Sequence, residues 1–103
     1  MSEPATIPLD AVFNRSDRIV GRRIADEFVL VPIVGHGAKL DSIYNLNRVG
    51  TFIWEHLDGR RSGRAIVEAL VARYEVDPAS AETDYRAFVK ALLSIGALIP
   101  PRD

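Results

Sequence analysis

The spacing of apolar residues changes at Leu46, and this change limits the possible folds more than any other feature of the chain. Between residues 18 and 46 the apolar residues alternate or form short β-branched runs, whereas beyond Leu46 they recur every three or four residues. The first pattern is typical of strands and the second of amphipathic helices. The chain has 103 residues, about the length of one domain. The two spacing patterns together predict the order β-β-β-α-α-α.

The first two predicted strands are joined by a tight turn. The first strand surrounds Gly21 and ends at a turn formed by residues 25–26, and the second covers residues 28–34 with apolar residues on both faces. Pro32 donates no backbone hydrogen bond, so we expect it at a strand end, an edge or a bulge. Residues 35–38, Gly-His-Gly-Ala, predict a turn into the third strand of an antiparallel meander.

The third predicted strand alternates over residues 40–46 and lies last in the meander. One side of it should therefore carry unpaired backbone groups. Such an edge is normally blunted by charge or proline, yet this one holds a single charge and no proline. It is predicted to be open to a further strand. Its two faces are Leu40, Ser42, Tyr44 and Leu46 on one side, and Asp41, Ile43 and Asn45 on the other.

Local signals predict where the three helices begin and end. Asn47 is a good N-cap for the first helix, with residues 58–59 (Asp-Gly) as its C-cap, and Ser62 is the N-cap of the second. Pro78 suits the first turn of the third helix, which Gly96 stops. Residues 97–99 then pack back onto the domain.

These elements predict an α+β fold like a winged helix-turn-helix, with a three-stranded antiparallel sheet followed by three helices. Residues 1–17 are interpreted as an extended N-terminal arm that docks through Val12 or Phe13, a frayed terminus being the alternative. Residues 18–99 form the domain and residues 100–103 a tail.

Composition and motifs exclude several classes of function. The net charge is −1, without the basic excess of most nucleic-acid binders, and no apolar run is long enough to span a membrane. The chain has no cysteine and no apparent signal peptide, which fits the cytoplasm. His36 and His56 lie in no metal-binding or catalytic spacing, so both are interpreted as solvated surface residues. We therefore predict no catalytic residue, no cofactor and no metal site.

A longer pattern resembles the PqqD-like family. In residues 44–59 a strand ends in Leu-Asn, a helix carries Ile-Trp, and Asp-Gly follows. Residues 66–67, 84–92 and 96–99 are similar to the later part of the family pattern, so that the resemblance covers about residues 26–99. Tyr85 departs from it, because the family often has a small branched residue there, and the departure bears on the shape of a pocket.

The resemblance implies a non-catalytic domain that binds the leader of a precursor peptide and delivers it to a separate modifying enzyme. That enzyme is often a radical S-adenosylmethionine enzyme, and elsewhere another maturase, such as a leader peptidase or cyclase in lasso-peptide assembly. The leader would add beside the third strand, over a groove lined by the third helix. Predicted contacts are Leu40, Asp41, Ser42, Ile43, Tyr44, Asn45 and Leu46, flanked by Tyr85, Phe88, Val89 and Leu92. The last four form one helical stripe, part core and part groove, which sequence alone does not divide.

Two alternatives stay open at this point. A winged-helix DNA-binding protein is favoured by Arg60, Arg61 and Arg64 with the pair at residues 22–23, and opposed by the acidic start of the third helix. A self-associating module would instead pair the open edge with a second copy. We expect a monomer or a weak homodimer that binds neither nucleic acid nor membrane.

Overall fold

The fold combines two small antiparallel sheets with three helices, as seen in a computed structural model that describes residues 7–34, 37–38 and 44–99. The strands of this part are β1 (Val12–Arg15), β2 (Ile19–Ile24), β3 (Glu27–Val34), β4 (Gly37–Ala38), β5 (Tyr44–Leu46), β6 (Asp58–Ser62) and β7 (Leu98–Ile99). The helices are α1 (Arg48–His56), α2 (Gly63–Tyr74) and α3 (Pro78–Ser94).

The first sheet has β3 in its centre, with β2 on one side and β4 and β5 on the other. β2 and β3 pair without a bulge and turn at residues 25–26, as predicted. The Ile33 N–H donates to the Arg18 carbonyl at 2.7 Å, so odd-numbered residues of β3 direct their backbone groups to β2. Pro32 therefore faces the other side. On that side, Pro32 lies between the part of β3 that pairs with β5 and the part that pairs with β4. Neither of these pairings needs the backbone N–H that proline lacks.

A second sheet, which the sequence did not predict, has the order β6-β1-β7. Asn14 of β1 lies opposite Asp58 of β6 and Ile99 of β7. The prediction that residues 58–59 cap α1 was wrong, because α1 ends at the C-cap Leu57 and Asp58 already begins β6. Backbone pairing with β1 outweighs the local Asp-Gly signal. Residues 37–38, predicted as part of a turn, similarly form β4 against the end of β3.

All three predicted helix starts are confirmed. The side chain of Asn47 accepts a hydrogen bond from the Gly50 N–H at 2.8 Å, and Ser62 accepts one from Ala65 at 3.2 Å. Asp77 caps α3, with Pro78 in its first turn. Each cap satisfies an N–H that has no partner within its helix. None of the helices in the described ranges is long and apolar enough to cross a membrane.

Trp54 joins the two sheets in the core. Its side chain is only 3% exposed. A Cβ on Gly21 of β2 would lie 2.8 Å from the Trp54 Nε1 and equally close to the Phe28 ring, so only glycine fits there. The Arg15 guanidinium of β1 lies 5.7 Å from the centre of the Trp54 ring. The stretch before β2 belongs to the same core, in which Ile7, Leu9 and Phe13 are buried.

Replacing Glu75 by glycine is expected to stabilise the protein. Glu75 caps the end of α2 with φ 53°, a left-handed conformation that costs a residue with a side chain about 1 kcal/mol. Glu75→Gly should raise the free energy of unfolding by about 0.5 kcal/mol in urea denaturation. Glu68→Gly, inside α2, is the control and should lower it by about 1 kcal/mol. A loss of stability in Glu75→Gly would contradict this account of the cap.

Candidate functional site

β5 is an edge strand in the described part of the chain, because it pairs with β3 and with nothing else there. Even-numbered residues of β3 direct their backbone groups towards β5, so Tyr44 and Leu46, opposite Leu30 and Phe28, bond to β3. The N–H and C=O of Asn45, between them, point to the free side. Residues 40–43, predicted to continue this edge, lie outside the described residues.

A groove of about 390 Å³ runs between α1 and α3 next to the end of β5. A Cβ on Gly50 of α1 would lie 3.3 Å from Phe88 Cε1 of α3 and 3.6 Å from Leu46 Cβ of β5. The missing side chain of Gly50 therefore lets a strand and two helices meet at one point. The groove is lined by Asn47, Val49, Gly50, Ile53, Asp84, Ala87 and Phe88.

The structure divides the helical stripe that sequence could not divide. Phe88 is half-buried and lines the groove, whereas Tyr85 and Val89 are wholly buried and Leu92 is nearly so. The side chains of these last three lie in the core and do not line the groove, although all were predicted as flanking contacts. Sequence analysis missed Asp84 and Ala87. The available signal was the position of Asp84, three residues before Ala87 and four before Phe88, which makes it a neighbour of both on the surface of α3.

Tyr85 fills a space beneath the start of α2. A Cβ on Gly63 would lie 2.6 Å from the Tyr85 hydroxyl and from its Cε2, so the ring rests directly on the Gly63 backbone. The hydroxyl is buried and finds no hydrogen-bond partner in the described ranges. Burial raises the pKa of Tyr85 to about 12. The departure from the family pattern therefore changes the core beside Gly63, not the groove.

Asp84 is the one charged residue that lines the groove, and it makes no hydrogen bond or ion pair with any described residue. The carboxylate of Asp58, in contrast, is engaged. Asp58 accepts hydrogen bonds from the Arg60 and Arg61 N–H groups at 3.0 and 3.3 Å and pairs with the Arg61 side chain at 2.8 Å. The Arg60 hydrogen bond, above all, lowers the pKa of Asp58.

A second, more polar cleft of about 590 Å³ lies between the β2–β3 turn and the outer side of α1. His56 stacks on Phe52 there, with ring centres 4.1 Å apart, and its Nδ1 lies 2.8 Å from the Phe52 carbonyl oxygen. His56 is thus engaged with its own helix and is not the free surface residue expected. His36 lies outside the described residues. In the part of the chain that the structure describes, no three His, Cys, Asp or Glu residues are grouped to hold a metal.

Comparison with known proteins decides the family. The family model described as coenzyme PQQ synthesis protein D (PqqD) matches residues 27–98, more than half of the chain. The chain belongs to the PqqD family. This membership confirms the resemblance found in the sequence. No curated protein matches the chain.

Two solved structures share the fold of this PqqD-family protein. One is described as TbiB1 in complex with the TbiA(beta) leader peptide; it is 33% identical, with a TM-score of 0.70, and the match covers 87% of this chain and 99% of that one. The other is described as lasso peptide synthetase B1 complexed with the leader peptide; it is 26% identical, with a TM-score of 0.72, and the match covers 87% of this chain and 100% of that one. The predicted α+β fold is confirmed, with the β6-β1-β7 sheet added to it.

Proposed function

We propose that this PqqD-family protein binds the leader of a precursor peptide as a further strand along the free side of β5. The observation that carries the proposal is that both structural relatives, at 33% and 26% identity over nearly their whole length, hold a leader peptide. The outward backbone groups of Asn45 and the adjacent groove supply a place for such a strand in this chain. Strand addition combines main-chain hydrogen bonds with pockets for alternate side chains.

Pairing rules fix how a peptide would lie here. In antiparallel pairing, as in every other strand pair described in this fold, a peptide residue opposite Asn45 exchanges two backbone hydrogen bonds with it and shares its outer face. The peptide residues on either side, opposite Tyr44 and Leu46, then place their side chains on the inner face, towards Phe88. Each hydrogen bond contributes about 1 kcal/mol and each buried apolar side chain about 1.5 to 3 kcal/mol. If pairing along the whole edge provides about six such bonds and about three buried side chains, association costs of at least about 4 kcal/mol leave about 6 to 11 kcal/mol, a range that includes micromolar affinity (about 8 kcal/mol).

The proposal assigns the protein a delivery role without catalysis. The peptide contacts are the backbone of residues 40–46, of which 44–46 are described, and the side chain of Phe88 on α3. Both relatives are complexes with a leader peptide, and one of them is described as a lasso peptide synthetase B1. We therefore favour a leader peptidase or cyclase of that kind as the receiving enzyme over a radical S-adenosylmethionine enzyme.

The charges of the surface disfavour DNA binding. Three of the arginines that would meet phosphates are already paired with carboxylates: Arg61 with Asp58 at 2.8 Å, Arg64 with Asp10 at 3.0 Å, and Arg23 with Glu55 at 3.8 Å. A phosphate would have to displace these partners. A gel shift against random duplex at low salt tests this alternative directly.

Asn45→Pro tests strand addition with little change to the fold, because the lost N–H faces away from β3. Proline removes one donor to the peptide and leaves the peptide carbonyl without a partner, so affinity should fall about ten-fold or more. Asn45→Ala is the matched control, since it removes the side chain and keeps the N–H, and it should bind within about two-fold of the parent.

The measurement is fluorescence anisotropy with labelled TbiA(beta) leader peptide, with circular dichroism to confirm that both variants are folded. Equal affinities for the proline and alanine variants would count against pairing at Asn45. Sedimentation with and without peptide separates leader binding from self-pairing of the same edge. If the edge pairs with a second copy of the protein, added peptide should convert dimers to monomers.

A further inference from the structure

The groove wall is mostly apolar, with one charged and one polar side chain. Val49, Ile53, Ala87 and Phe88 make it apolar, and the Asp84 carboxylate is its single charge. The remaining polar side chain, Asn47, already uses its oxygen to cap α1. A peptide side chain entering the groove therefore meets apolar surface and one negative charge.

Among the described residues, Asp84 forms no hydrogen bond or ion pair that would stabilise the fold. Its acidic neighbours on α3 are engaged: Asp77 caps the helix, and Glu82 pairs with Arg86 at 2.7 Å. Arg86, two residues beyond Asp84, is further held by the Ile7 carbonyl at 2.8 Å. The Asp84 side chain is exposed at the groove. Its carboxylate is thus left with its hydrogen-bonding capacity open to a ligand.

The sheet register indicates which peptide residue reaches this carboxylate. Of the two inward-pointing peptide residues, the one opposite Leu46 lies nearer to α3, because Leu46 and Phe88 both approach Gly50. Asp84 precedes Phe88 by one helical turn and lies on the same face of α3. The peptide residue opposite Leu46 is next to the peptide residue paired with Asn45. Its side chain is therefore directed along the groove wall that carries Asp84.

We infer that Asp84 selects a basic side chain, lysine or arginine, at this position of the bound leader. The aliphatic stem of such a residue lies against Phe88 and Ala87, and its charged end reaches the carboxylate. The inference rests on the proposed function and adds to it a charge preference for the leader. A carboxylate that only stabilised the fold would not distinguish lysine from an uncharged side chain of similar length.

The test is a lysine scan and a matched norleucine scan of the TbiA(beta) leader peptide, measured by anisotropy. At one position lysine should bind the parent protein about five-fold more tightly than norleucine, as expected for one partly exposed charge pair. This ratio should fall to about one in Asp84→Asn and should shrink at high salt. Glu68→Gln on α2, outside the groove, is the control and should keep the parent ratio.

The outcomes separate the two claims. If peptides bind, and the lysine-to-norleucine ratio at every position is the same in the parent and in Asp84→Asn, the role of Asp84 is contradicted while leader binding stands. If no peptide of either scan binds the parent protein, the proposed function is contradicted and the role of Asp84 with it. If Asp84→Lys reverses the preference, so that glutamate is favoured at the same position, direct contact is supported.

Discussion

Gly63→Ala should lower the free energy of unfolding by about 2 to 3 kcal/mol, although alanine is the better helix former. Gly63 is the first residue of α2, and the added Cβ would lie 2.6 Å from the wholly buried ring of Tyr85. The ring has no space to withdraw without disturbing the core. Urea denaturation followed by the fluorescence of Trp54, the single tryptophan, measures the loss.

Replacing Tyr85 provides the control. Tyr85→Leu removes both the ring that meets the new methyl group and the buried hydroxyl without a partner. In the Tyr85→Leu background, Gly63→Ala should therefore cost at least about 1 kcal/mol less than in the parent. If Gly63→Ala costs the same in both backgrounds, the close approach of Tyr85 is not what requires glycine at residue 63.

Trp54→Ala should cost about 3 to 5 kcal/mol, a large part of the stability of a domain of this size. The indole packs against Gly21 of the first sheet, and Arg15 of the second sheet lies over its ring. Its loss would open a cavity where the two sheets join. Because this variant has no tryptophan, unfolding must be followed by far-ultraviolet circular dichroism.

Trp54→Phe is the matched control for this second experiment. Phenylalanine retains an aromatic ring of smaller volume, so the loss should be about half that of the alanine variant. A cost below about 1 kcal/mol for Trp54→Ala would show that the indole does not fill the core. Trp54 lies off the main apolar stripe of α1, formed by residues 49, 52, 53 and 57, yet its side chain is only 3% exposed.

The helix starts and the β2–β3 hairpin were predicted well because they depend on residues that are close together in the sequence. Asn47, Ser62 and Asp77 each cap a helix by bonding an N–H three residues away. Because donor and acceptor lie within one turn, such signals depend little on the rest of the fold. The β2–β3 hairpin was predictable for the same reason. Its turn joins two strands that alternate or carry β-branched residues.

The second sheet depends on contacts that local patterns do not encode. β6 has the sequence Asp-Gly-Arg-Arg-Ser, which has no apolar alternation, and it becomes a strand only through pairing with β1. Its partner lies more than forty residues earlier in the chain. The Asp-Gly pair, judged alone, has the composition of a helix end. Gly59 does adopt a positive φ of 81°, but within a strand.

The site could be predicted only in part because burial depends on residues far away in the sequence. Phe88 and Val89 are neighbours on one stripe of α3, yet one lines the groove and the other is wholly buried. Tyr85 can lie in the core because Gly63, more than twenty residues earlier, has no side chain and leaves space for the Tyr85 ring. A helical stripe shows which residues share a face, whereas the shape of the opposing surface divides that face.

The sheet of β6, β1 and β7 also has a consequence for how the protein is made. β1 leaves the ribosome before both of its partners, and one of these, β7, spans Leu98–Ile99, more than eighty residues later in the chain. Until those residues emerge, the nascent chain displays an unpaired edge together with Phe13 of β1. Pairings so distant in sequence close late and slowly. During synthesis, this early segment is therefore where chaperones and proteases would engage the unfinished chain.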